Sequence, residues 1–289
     1  MSLKIAPQAF SLRIFRASTL SSPAWLVHGF STRTGGRSDI CGTRALNLGF
    51  TKHDSKTAVE HNRATFLKAL SVAAGKWELV TLRQVHSDLI HCITSAGQHP
   101  TGDGVITQFP RVLLGVQTAD CVPVLLADPK HKAIGAFHAG WRGTLKRIVE
   151  KGVGEMRKHF GTKAGDLRAA IGPAIHSCCY EVGEEVRDKF RSQFGYADEL
   201  FCEVRESDPV KEKYPLLFLT ARAPGHGPDE PKLFLDLLAA NRHQLTDAGV
   251  EASNIWTSDF CTFCSPDLLF SYRREGVKTG RQMGVIGIR

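Results

Sequence analysis

No stretch of the 289-residue chain approaches the ~20 consecutive apolar residues that a membrane-crossing helix requires, so a membrane partner is not expected. The first residues hold no apolar core either, because Lys4, Arg13 and Arg16 interrupt it; a secretory leader is therefore not read there and a cytoplasmic location is expected. Lys and Arg form no run of five or more and do not alternate with aromatics, which sets nucleic acid aside as a partner. No G-x-G-x-x-G opens a strand-to-helix turn, so no dinucleotide cofactor is expected. The His-x-His repeats that would hold a copper cluster are missing too. Internal repeats, low-complexity tracts and a dividing linker are also lacking, and residues 1–289 read as one domain.

The composition is that of an ordinary folded protein, with 42% hydrophobic and 23% charged residues. A formal charge of +8 favours small anions such as phosphate. In a reducing compartment the eight cysteines are expected as thiols or metal ligands rather than a disulfide framework.

Apolar residues recur at helical spacing over 57–74 (Ala58, Phe66, Leu67, Leu70) and 144–160 (Leu145, Ile148, Val149, Val153, Met156, Phe160), with two further helices expected over 183–194 and 233–248. Short β-rich runs at 79–82, 112–116, 122–127, 133–137, 169–171 and 216–219 lie between them, and prolines and glycines mark 220–231 as a loop. Helices and strands interleave throughout.

The segment CVPVLLADPKHKAIGAFH joins two apolar runs through Asp128-Pro129-Lys130-His131, which reads as a hairpin turn. A loop centred on Pro129 and Lys130 would set Cys121 directly opposite His138, on one face of the pair. Three chemistries fit such a pair: a buried inert thiol beside a satisfied histidine, a Cys nucleophile activated by His, or two ligands of a metal. A third ligand would decide, and His86 of LRQVHSDLI is available, sharing a face with Gln84 if the preceding strand persists. Glycines around Trp141 and Arg142 are expected to let the backbone turn tightly. Of the other histidines (28, 53, 61, 91, 99, 131, 159, 176, 226 and 243), most fall in polar turns or on helix faces and are expected to be solvated.

The stretches TLRQVHSD, GDGVITQFP, TADCVPVLLADP, FHAGWRGTL, IGPAIHSCCYEVG and SYRREGVKTGR, with HGFSTRTGG at 28–36, LNLG at 46–49 and the Asn62-Arg63 pair, resemble the YfiH-like (laccase-domain) purine nucleoside phosphorylase family, also known as polyphenol oxidases. The resemblance implies a single α+β domain of mixed β-sheets flanked by helices, and a catalytic zinc held by His86, Cys121 and His138. It further implies phosphorolysis of adenosine, inosine or guanosine to free base and ribose 1-phosphate, with purine nucleosides and phosphate as partners; methylthioadenosine cleavage and adenosine deamination also belong to the family.

Arginine's planar fork suits phosphate: Arg142, just before a helix N-terminus, is either such a catalytic-site arginine or a surface ion-pair partner, and the resemblance, through the STRTGG stretch, implies the same role for Arg33, otherwise a loop arginine. Asp120 is either a proton-transfer or ligand-orienting carboxylate or the cap of the turn before Cys121; Asp103 in GDGV is a turn former or an acid. The alternatives to zinc phosphorolysis are a copper-dependent, laccase-like polyphenol oxidase, for which one His/Cys/His set is thin support, and a metal-free Cys121/His138 hydrolase.

Overall fold

The computed structural model describes residues 12–42, 44–72, 76–95, 97–205 and 231–289. In chain order these form β1 (Ile14–Phe15), β2 (Leu26–Ser31), β3 (Thr34–Ser38), α1 (Lys56–Ala69), β4 (Glu78–Thr81), β5 (Ile90–Ile93), β6 (Gly104–Thr107), β7 (Val112–Thr118), β8 (Val122–Asp128), β9 (Ala133–Ala139), α2 (Trp141–Leu145) and α3 (Ile148–Phe160). They continue with β10 (Arg168–Ile171), β11 (Glu181–Val182), α4 (Glu184–Arg191), β12 (Phe201–Val204), β13 (Lys232–Leu235), α5 (Leu237–Asp247), β14 (Ile255–Thr257), α6 (Tyr272–Glu275) and β15 (Gln282–Ile288). The α+β class with mixed sheets and few helices is as expected. The strand expected at 216–219 and nearly all of the loop at 220–231 lie outside the described residues. Among the described residues no helix is long and apolar enough to cross a membrane.

Two compact units partition the chain: residues 1–175 with 237–289, and residues 176–236. In the smaller, β13 pairs antiparallel with both β11 and β12, and the Phe190 ring of α4 meets Phe201 edge-on.

In the larger unit two mixed sheets stack. One runs β1-β2-β15-β7-β4 and the other β14-β10-β8-β9-β6-β5, each closing with a parallel pair. Strand alternation divides the apolar residues between layers. Val112, Leu114 and Val116 of β7 and Ile286 and Ile288 of β15 join Leu125, Ala127, Ile134 and Ala136 in the core between the sheets. The intervening residues, Leu113, Met283 and Val285, face outward onto Phe66 and Leu70 of the α1 region. The α1 helix starts at Ser55, whose hydroxyl accepts the Ala58 N–H.

The helix expected over 144–160 is two helices. Gln244 Nε2 of α5 donates to the Thr144 carbonyl at 2.7 Å and Asn241 Nδ2 donates to the Thr144 hydroxyl at 3.1 Å. The same carbonyl accepts the Arg147 N–H at 2.9 Å, and Arg147 adopts a left-handed conformation (φ 62°) that separates α2 from α3. The short α2 can thus hold its own angle after β9.

His28 is an exception among the histidines: it is buried in β2, where its Nε2 accepts the Ala17 N–H at 3.0 Å. Burial, and then the nearby Arg16, pull its pKa down to about 4, against a weaker opposing effect of the Ala17 hydrogen bond. The unfolded chain binds this proton below about pH 6.5 while the folded chain refuses it until about pH 4. Stability from His28 is therefore complete above pH 6.5 and is lost as pH falls through that window, by about 3 kcal/mol. Denaturant unfolding at pH 7 and pH 4.5 checks this: His28→Gln, which keeps an acceptor for Ala17, should flatten the acid loss by about one proton, whereas parallel curves for the two proteins would contradict it.

Candidate metal centre

β8 and β9 place two of the three expected ligands. Their register pairs Pro123 with His138 and Val122 with Ala139, two residues away from the register expected from the sequence, because the connection is the four-residue loop 129–132. A displacement of two preserves the face. His138 shares the inward face of Ile134 and Ala136, and Cys121, just before β8, extends the same face as Pro123. The residue facing Cys121 in this register is Gly140. A Cβ there would lie 3.0 Å from both Cys121 Sγ and His86 Cδ2. Gly140 has φ −72° and ψ 171°, open to any residue, so its lack of a side chain serves clearance and not the tight turn expected from the sequence.

His86 arrives differently. The strand ends at Thr81, and His86 lies in a loop with a left-handed backbone (φ 57°), so it shares no strand face with Gln84. That loop wraps the buried carboxylate of Asp103. The Val85, His86 and Ser87 N–H groups donate to its oxygens at 3.2, 3.0 and 2.6 Å, and the Ser87 hydroxyl donates at 2.7 Å. Asp103 also accepts from His138 Nδ1 at 2.8 Å, while its own carbonyl accepts the His138 N–H at 2.7 Å. Behind the loop, Gln84 and Gln117 exchange two bonds of 2.8 Å, Gln84 Nε2 donating to the Gln117 carbonyl and Gln117 N–H to Gln84 Oε1. Burial works to raise the Asp103 pKa, but the bonds from His138 and Ser87 prevail and hold it well below the usual carboxylate range. An ionised carboxylate only accepts, which fixes the proton of His138 on Nδ1 and leaves Nε2 as the donor atom.

One donor atom from each of His86, Cys121 and His138 lies within 4.8 Å of the other two, with Cys121 Sγ 3.9 Å from His86 Nε2. The imidazoles meet at 75° with centroids 4.9 Å apart. Tetrahedral bonds of ~2.0–2.3 Å place ligand atoms about 3.3–3.8 Å from one another, so a small contraction seats an ion. His138 is buried, Cys121 intermediate and His86 exposed, which leaves the fourth corner towards solvent. Burial opposes ionisation of both Cys121 and His138, yet their mutual attraction prevails, lowering the thiol and, with help from Asp103, raising the imidazole.

The remaining expected residues are placed as follows. Asp120 is buried and strained (φ 98°), directing the chain into Cys121. Its Oδ1 accepts the Thr262 hydroxyl at 2.6 Å and its Oδ2 the Arg273 N–H at 2.7 Å. Arg142, exposed in the first turn of α2, lies over the Trp141 ring at 4.3 Å. The Arg33 guanidinium donates to Glu275 Oε1 at 2.6 Å, to the Pro266 carbonyl at 2.8 Å and to the Cys41 carbonyl, above the Phe270 ring. Burial raises the Glu275 carboxyl, but Thr279, Arg33 and Arg274 outweigh it and hold the pKa below the usual range. The clearance at Gly140 and the grip of Asp103 escaped the sequence reading; a Gly-Asp-Gly turn ahead of a strand was the one available trace of the latter.

Fold and site define a class: a stacked mixed-sheet α+β protein with a two-histidine, one-cysteine centre open on one side. The family model described as Multi-copper polyphenol oxidoreductase laccase matches residues 27–289, and the chain belongs to that family. Over 279 residues it is 37% identical to the purine nucleoside phosphorylase of Deinococcus radiodurans, covering 96% of this chain and 93% of that protein. It is 34% identical to adenosine deaminase RL5 from an unknown prokaryote, covering 88% and 91%. The crystal structure of the Bacillus licheniformis hypothetical protein YfiH superposes with a TM-score of 0.79 at 31% identity, covering 98% of each chain.

Two substitutions test this geometry. Asp103→Asn cannot accept from all its present donors, and metal affinity should fall roughly 10- to 100-fold. Gly140→Ala should likewise weaken metal binding without unfolding the chain. Competition against a chromophoric chelator, with circular dichroism as the folding control, measures both; unchanged affinity in the two variants would contradict the arrangement.

Proposed function

We propose that the protein is a zinc-dependent purine nucleoside phosphorylase that cleaves adenosine, inosine or guanosine. The observation that carries this reading is the convergence of His86, Cys121 and His138 with one side left open, the arrangement that catalytic zinc sites adopt. The names of the relatives supply the substrate class. In the reaction a phosphate oxygen bonds to C1′ as the C1′–N bond breaks; the electron pair leaves with the base, which takes up a proton, and ribose 1-phosphate remains.

Each residue has a part in this reading. Asp103 keeps the His138 proton on Nδ1 and holds the His86 loop, so both imidazoles present a lone pair to the same point. Cys121 contributes a thiolate, the harder ligand to displace. Asp120 sets the direction from which Cys121 enters and ties it to the segment around Thr262 and Arg273. Arg142 stands exposed on the first turn of α2, three residues after Ala139 of β9, and Arg33 is engaged by Glu275 and the Pro266 and Cys41 carbonyls. Zinc held by His86, Cys121 and His138 would supply a Lewis acid able to polarise a substrate oxygen.

A copper polyphenol oxidase, the chemistry in the family description, draws less support. Among the described residues no second group of histidines converges to form a copper cluster.

Purified protein should carry about one zinc per chain and release hypoxanthine from inosine only when phosphate is present. His86→Ala should lose both zinc and turnover. Turnover retained by His86→Ala would point to a metal-free Cys/His hydrolase, and phenol oxidation by the copper-loaded chain, with no phosphate-dependent base release, would overturn the phosphorylase reading.

A further inference from the structure

Most arginines that leave water in the larger unit have a visible counterpart. Arg33 and Arg274 share Glu275, and Arg147 meets Glu150 at 2.8 Å. Arg63 donates to the Leu48 carbonyl and lies over the Phe50 ring at 4.4 Å. Arg168, Arg242 and Arg281 are half-buried with no carboxylate within ion-pair distance among the described residues. Of these, Arg281 immediately precedes β15, and its guanidinium donates only from Nη1, to the Thr279 and Gly280 carbonyls at 3.2 and 2.9 Å. Its Nε and Nη2 groups have no acceptor among the described residues. Removing a guanidinium from water without a balancing charge is costly, and burial indeed pulls its pKa down, only partly offset by Cys121, Tyr272 and Asp120.

Its position is built. The main-chain N–H of Arg281 donates to Asn47 Oδ1 at 2.8 Å, and the same oxygen accepts the Gly49 N–H at 3.0 Å. The stem of the side chain lies so close to Gly49 that a Cβ there would stand 2.6 Å from Arg281 Cγ. Asn47 is itself held by Asn62, whose Nδ2 donates to its carbonyl at 2.9 Å. Gln282 pairs with Thr118 across β15 and β7. Arg281 therefore stands beside the point where the chain leaves β7 to become Asp120 and Cys121, one ligand of the candidate centre. Its electrostatic neighbours include the candidate ligand Cys121 and the adjoining Asp120.

We infer that Arg281 is the oxyanion-binding side chain of the site, its free N–H groups receiving the inorganic phosphate that the reaction consumes; this rests on the phosphorylase reading above. Two neutral imidazoles and one thiolate around a divalent cation leave a net positive centre, and Arg281 adds a second charge beside it. A phosphate dianion matches that field and the planar fork. A neutral ribose or base leaves the guanidinium uncompensated.

Phosphate titration by calorimetry on the zinc-loaded chain, with steady-state kinetics in varied phosphate and varied inosine, tests this in Arg281→Met and Arg281→Lys. The Met variant should raise the phosphate Kd and phosphate KM roughly ten- to a hundredfold, with the inosine KM within about twofold and zinc content unchanged. The Lys variant, retaining charge without the fork, should fall between. Phosphate constants unchanged in both variants, or zinc content falling in step with them, would overturn the inference. Base release by the unaltered protein that ignores phosphate would instead overturn the phosphorylase reading, and the phosphate Kd then decides Arg281 alone: raised by the substitutions it supports oxyanion binding, unchanged it refutes it.

Discussion

The buried carboxylate of Asp103 is the interaction on which the centre depends, because it joins two ligands that arrive on unrelated elements. His138 comes at the end of β9, where a register fixed by strand pairing holds it. His86 comes on an exposed loop with no strand to fix it, and three successive N–H groups closing on one carboxylate do what strand pairing cannot. The same oxygens orient the His138 ring. A charge-assisted network of this kind is strong only while complete, so the placement of His86 and His138 in the candidate centre and the ionised state of Asp103 are one property.

Around that carboxylate the fold contributes rigidity at one place and space at another. Asp120 accepts a strained backbone and is compensated by Thr262 and Arg273, which delivers Cys121 from the third side. Gly140 leaves empty the volume in which Cys121 and His86 come together. Asn241 and Gln244 hold Thr144 where the five-residue α2 ends.

Much of this was legible in the chain. The hairpin of β8 and β9 announced itself through two apolar runs and a Pro-containing turn; only the turn length was misjudged, and an even displacement kept Cys121 and His138 on one face. Other parts carried no local signal. β2 and β15 are buried on both faces and interrupted by glycine, so they lack the alternation by which strands are recognised. His86 was identifiable by its motif, but the left-handed loop that presents it is imposed by Asp103, seventeen residues further on. The division of α2 from α3 depends on side chains a hundred residues downstream in α5. Arg281 reads as one arginine among many until β15 pairs with β7 and sets it beside the chain that leads to Asp120 and Cys121.

Anomalous diffraction collected on both sides of the zinc absorption edge from crystals of the protein as purified tests the central claim most directly. The account predicts one zinc peak bonded to His86 Nε2, Cys121 Sγ and His138 Nε2 at ~2.0–2.3 Å. Zinc bound elsewhere on the chain, with these three side chains carrying no ion, would contradict it.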